Sequence, residues 1–250
     1  MRPSPTPIGI RTTPQWTKLV LGLAIVFGFF HWLASVLGSD RGQAGVVVGA
    51  LVVAATIGIE RALFRTPVRQ APHQLGLGRP QAAGLTAAAG ACLLLLLVVP
   101  AFARYSDTSI SILPGAAWLV PGLFAQAGIA EETLFRGYLF GRLRYDRSFW
   151  VAASLSMLPF VAVHLLMFVT QPWPIAAASL ALALVSSFPL AWLFELGGGT
   201  IWAPALLHFV IQGTVKLVVF PDDTASTFAV VWIAASAVVP LGLFAVPGRR

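Results

Sequence analysis

Residues 112–143 read ILPGAAWLVPGLFAQAGIAEETLFRGYLFGRL. Most of this run is apolar and long enough to cross a bilayer, which takes about 20 residues. Yet Glu131, Glu132 and Arg136 fall within six positions of it. The surrounding chain decides how to read them. It is 58% hydrophobic and only 10% charged, with a mean hydropathy of +0.84, whereas a soluble domain is roughly a quarter charged. No polar stretch is long enough to fold alone. The chain is therefore read as all-α, a polytopic transmembrane helical bundle, and the three charges as groups placed inside a span.

Eight spans are expected, near Trp16–Leu37, Ala44–Leu63, Gly84–Phe102, Ile112–Leu143, Phe149–Val169, Ile175–Leu193, Ile201–Phe220 and Ser226–Val246. The first apolar run is too long for a cleaved leader and reads as a retained span. The chain divides into a flexible or interfacial tail (1–15), N-terminal helices (16–110), a core holding the intramembrane polar groups (111–220), and a last span with its tail (221–250). Net charge is +7, carried mostly by arginine. Arg2, Arg11 and Lys18, then Arg61, Arg65, Arg69 and Arg79, then Arg142, Arg144 and Arg147, and finally Arg249 and Arg250 alternate with nearly neutral or acidic loops such as Asp40–Arg41. That alternation predicts both termini on the cytoplasmic side of an integral membrane protein, in a bacterial cytoplasmic membrane given the arginine bias. It points to an anionic lipid surface and not to nucleic acid. The single cysteine, Cys92, excludes an internal disulfide and reads as a space-filler.

Ionisable side chains within spans are costly, so each is a functional candidate. Glu132 and Arg136 are spaced i,i+4 and can pair on one face; Glu131 points about 100° away and has no partner on its own helix. Phe160 and His164 share a face of the fifth span, after Pro159. His208 and Gln212 share a face of the seventh, after Pro204. A carboxylate and two imidazoles at similar depth are the parts for activating water, directly or through a metal. His31 lacks a polar neighbour and reads as structural, His73 as solvated, and Glu60 and Glu195 as span-end charges free to snorkel.

At these residues the chain resembles the CAAX-protease and bacteriocin-processing (CPBP, Abi-type) intramembrane proteases, related to the Rce1-type prenyl-protein endopeptidases. The family pattern EExxxR, FxxxH and HxxxN or HxxxD reads here as EETLFR, FVAVH and HFVIQ, and "FRGYLFGRL" and "PALLHF" fit it as well. The resemblance covers about Pro114 to Leu217. It implies a helical core around an intramembrane cavity open to lipid and cytoplasm. It also implies Glu131 as the base that activates water, His164 as a holder of that water, and His208 with residue 212 as the groups that polarise the scissile carbonyl. Glu132, Arg136 and Phe160 would support them. Gln212 departs from the family's Asn or Asp by one methylene. A divalent metal such as zinc on Glu131, His164 and His208 and a metal-free glutamate mechanism both stay open. The expected substrate is a membrane-associated peptide or lipid-modified protein, and no oligomeric state follows from the sequence. The competing classes are a non-catalytic immunity or scaffold protein of the same fold and a proton-coupled transporter; the repeated halves expected of many transporters are not visible.

Overall fold

The computed structural model describes residues 10–37 and 42–248. Arg2, most of the N-terminal tail, the Asp40–Arg41 loop and Arg249–Arg250 lie outside the described residues. Among the described residues the chain makes eight helical passes. They begin with α1 (Thr13–Leu37) and α2 (Gln43–Phe64). A linker holding the short α3 (Ala71–Gln74) leads to α4 (Ala82–Tyr105). After strand β1 (Ser111–Ile112) comes a composite pass: α5 (Ala116–Leu123), two π-wound stretches (Phe124–Ala130 and Thr133–Phe140) and α6 (Gly141–Arg144). The fifth pass is α7 (Phe149–Leu165) with α8 (Met167–Thr170), and the sixth is α9 (Trp173–Leu196). Next come α10 (Trp202–Leu217), strand β2 (Val218–Val219), and α11 (Asp222–Val238), which runs on as a 3₁₀ turn, Val239–Ala245.

Six of the eight passes are helical runs long and apolar enough to cross a membrane. The two that fall short are those carrying Glu131 and His208. The composite pass is interrupted by π winding, which places an extra residue in a turn and is frequent at functional sites. Pro121, which lacks a backbone donor, lies just before the first interruption. Helix α10 has 16 residues, about 24 Å at 1.5 Å per residue, short of a full hydrocarbon core of about 30 Å. Eight is thus an approximate count of crossings, and the polytopic helical bundle itself is as expected.

Close backbone approach sets the composite pass against α2. Gly45 and Gly49 lie on one face of α2; a Cβ at Gly45 would lie 2.7 Å from Gly122 Cα, and one at Gly49 2.8 Å from Ala125 Cβ. Small residues spaced in this way let helices in lipid pack on backbone contacts. Gly49→Leu should therefore cost about 1–3 kcal/mol by overpacking, read as a lower melting temperature of the purified protein in lipid.

One end of the bundle is closed by polar ties. Arg147 donates to the Ile10 carbonyl at 2.7 Å, Arg11 pairs with Asp146 at 3.2 Å, and Arg144 pairs with Glu195. The 65–81 linker docks there through Ile201 N–H to the Gly76 carbonyl (2.9 Å) and Trp202 Nε1 to the Gly78 carbonyl (2.8 Å). Glu60 corrects the sequence reading. It is buried and not snorkelling, pairs with Arg142, and accepts from Thr66 at 3.0 Å. The Arg142 guanidinium also lies 3.7 Å from the Phe64 ring centroid. Two residues 82 apart in sequence satisfy each other where the helix end itself is packed. At the other end, β1 and β2 pair antiparallel, Ser111 with Val219 and Ile112 with Val218. His31 is exposed and stacks on Phe27, His73 is exposed, and Cys92 is buried in the apolar cluster around Leu95 and Leu207.

Candidate active site

Glu131 and Glu132 sit at the joint between the two π-wound stretches. Their side chains part there. Glu132 is fully buried, and its Oε1 accepts from Arg136 Nη1 at 3.0 Å and from His208 Nδ1 at 2.6 Å. An ionised carboxylate only accepts, so the His208 proton on that side belongs to Nδ1. On the other side of the ring, Gln212 Nε2 approaches His208 Nε2 at 2.7 Å, while Lys216 Nζ donates to Gln212 Oε1 at 3.2 Å. An ammonium has no acceptor. Lys216 therefore fixes which end of the amide is oxygen, and Gln212 is the donor to His208. The result is one directed chain, in which Lys216 donates to Gln212, Gln212 to His208, and His208 together with Arg136 to Glu132.

Glu131 stands apart from that chain. Its Oε2 is 3.7 Å from His208 Nε2, too long for a hydrogen bond, and its side chain keeps 21% of its exposure. It faces a cavity of about 230 Å³ lined by Phe30, Ala34, Leu123, Gln126, Ala127, Glu131, Gln212 and Lys216. Glu131 thus borders open space, while Glu132 is enclosed by protein.

His164 enters from α7. Its Nδ1 bonds the carbonyl of Phe160 at 2.8 Å, which leaves Nε2 for other work. The Phe160 ring is the shared wall: its centroid lies 4.7 Å from the His164 ring, 6.2 Å from the His208 ring and 5.1 Å from the Arg136 guanidinium carbon. Among the described residues no hydrogen bond or ion pair joins His164 to Glu131 or His208. Nor does any group of three or more His, Cys, Asp or Glu side chains come together as a metal site there. Glu131, His164 and His208 do not fit a three-donor metal centre in this arrangement, because both His208 nitrogens are engaged by Glu132 and Gln212.

The sequence motifs thus bring Glu131, Glu132, Arg136, Phe160, His164, His208 and Gln212 into one neighbourhood. Lys216, Gln126, Phe30 and Ala34 were not singled out from the sequence. Lys216 carried a signal, since it follows Gln212 at i+4 as Gln212 follows His208. The α1 residues carried none.

A many-pass helical bundle with one cavity-facing acid and one buried, histidine-bound acid between its spans defines a site of acid–imidazole type. Glu131, Glu132, Arg136, Phe160, His164, His208 and Gln212 all fall within residues 113–214, which match the family model described as type II CAAX prenyl endopeptidase Rce1-like. The resemblance seen in the three motifs holds over that stretch, and the match supports a CAAX protease-type hydrolase function in the membrane. No curated protein matches the chain.

Proposed function

We propose that this protein is an intramembrane endopeptidase that hydrolyses a peptide bond of a membrane-associated substrate, with Glu131 as the base. The observation that carries this reading is that Glu131, which makes no side-chain hydrogen bond among the described residues, and the fixed Gln212 amide line one small cavity, both of them within the segment that matches the Rce1-like model. In the proposed reaction Glu131 takes a proton from water held between it and His164 Nε2. The water oxygen bonds to the scissile carbonyl carbon, and the carbonyl oxygen takes up the negative charge. Gln212 has two amide hydrogens; one is spent on His208, and the other is available to the oxyanion. Collapse of the intermediate breaks the C–N bond, and Glu131 returns its proton to the leaving amine. His208 accepts from Gln212, so its part is to aim the amide. Glu132, held by Arg136, in turn aims His208. No step is routed through a metal.

The reading is tested by turnover of membrane-anchored peptides with purified protein in lipid, and Gln212 gives a sharp form of the test. Loss of one oxyanion donor typically costs about 10²–10³ in rate, so Gln212→Ala should lower kcat by that order with little change in KM. Lys216→Met should act the same way but more weakly, because the amide is then free to flip, and Lys216→Arg should keep most of the rate. If Gln212 only ties helices together, Ala will lower the melting temperature and leave the turnover of folded protein unchanged. That outcome would favour the non-catalytic scaffold reading.

A further inference from the structure

We infer that the cavity is entered from the non-cytoplasmic face, so that the substrate is a peptide segment already across the membrane and not a cytoplasmic tail. The orientation stands on geometry and charge alone; its statement about substrate rests on the peptidase reading above. Most cavity-lining positions lie in the halves of their helices remote from the closed, arginine-rich end, with Glu131 near the middle of the composite pass. Phe30 and Ala34 are in the last third of α1, whose start lies near the ties made by Ile10 and Arg11. At 1.5 Å per residue, Phe30 is about 26 Å of helix from Thr13. Lys216 is the next-to-last residue of α10, whose start docks on the 65–81 linker. Leu123, Gln126 and Ala127 belong to the half of the composite pass that follows β1.

Among the described residues the closed end is tied across. Glu60 with Arg142, Arg144 with Glu195, and Arg147 with Ile10 join four parts of the chain across it. The linker also seats buried Leu75, whose carbonyl meets the composite pass at Gly137 so tightly that a Cβ there would collide with it. This is also the basic end. Arg11, Lys18, Arg61, Arg65, Arg69, Arg79, Arg142, Arg144 and Arg147 lie on its side, whereas the open end carries Arg104 and Lys216 beside Asp107, Asp222 and Asp223. Positive charge marks the cytoplasmic side of short loops. The closed end is then cytoplasmic and the cavity faces outward, opposite to the opening that the family resemblance implies.

The test uses the single native cysteine to advantage. In a Cys92→Ala background, single cysteines are placed at Ala34 and Gln126 in the cavity, at exposed Tyr105 on the open end, and at exposed Arg69 on the closed end. A membrane-impermeant thiol reagent is applied to intact cells and to inverted vesicles. The expected result is labelling of Ala34→Cys, Gln126→Cys and Tyr105→Cys in intact cells, and of Arg69→Cys in inverted vesicles alone. The inference is overturned if the cavity cysteines react only in inverted vesicles, if Arg69→Cys reacts in intact cells, or if neither cavity cysteine reacts from either side of folded protein. Labelling does not depend on catalysis. An outward cavity in a protein that cuts no peptide presented on that face would retain the orientation and remove the peptidase reading.

Discussion

Glu131→Gln is expected to lower peptide hydrolysis by about 10²–10⁴, the usual contribution of a general base, while the protein inserts, purifies and melts like the wild type. The substitution is close to isosteric. Glu131 makes no hydrogen bond to another side chain among the described residues, and His208 Nε2, which accepts from Gln212, is 3.7 Å away. Its side chain also borders the cavity, so removing the charge there leaves no buried partner stranded. An amide in its place cannot take a proton from water, and kcat should carry the whole loss. A variant that keeps a near wild-type rate would remove Glu131 from the mechanism.

The neighbouring acid should behave in the opposite way. Glu132→Gln is expected to destabilise the fold by about 3–5 kcal/mol, the cost of removing one partner from a buried ion pair. Two donors converge on Glu132 Oε1, from Arg136 and from His208; a glutamine oxygen can accept from both, but it carries no charge to balance the buried Arg136. Activity should fall as well, because a neutral amide holds the His208 Nδ1 proton more weakly than a carboxylate does. Arg136→Met in the Glu132→Gln background should recover part of the stability, since no buried cation is then left unpaired, but little of the activity. Melting temperature and turnover of wild type, Glu132→Gln, Arg136→Met and the double variant separate the two effects. Equal stability of wild type and Glu132→Gln would contradict the buried network.

The two acids look equivalent in the sequence, and only part of their difference was legible there. Spacing within a helix is periodic, so the Glu132–Arg136 pair and the shared faces of Phe160 with His164 and of His208 with Gln212 could be read directly. The isolation of Glu131 from its own helix could be read in the same way. Contacts between helices depend on rotation and depth, which spacing does not encode. The Glu132–His208 bond joins residues 76 apart and the Glu60–Arg142 bonds residues 82 apart, and neither is signalled locally. The π winding was hidden because it changes the hydrogen-bond register without changing hydropathy. The α1 wall of the cavity was hidden because Phe30 and Ala34 resemble any other apolar span residues.

The presence of Gln212 has a physical account in this geometry. It sits one turn from His208 on one side and one turn from Lys216 on the other, and its amide reaches both. The arm of an asparagine is one methylene shorter. Gln212→Asn should therefore lose one of the two contacts, and the rate should fall toward that of Lys216→Met.

The central claim is that this membrane protein hydrolyses peptide bonds with water activated at Glu131. Its most direct test is mass spectrometry of membrane-anchored peptides incubated in lipid with equal folded amounts of wild type and Glu131→Gln. The account predicts discrete cleavage products with the wild type and at least a hundredfold less of the same products with the variant. Intact peptides with both proteins, or equal cleavage by both, would contradict it.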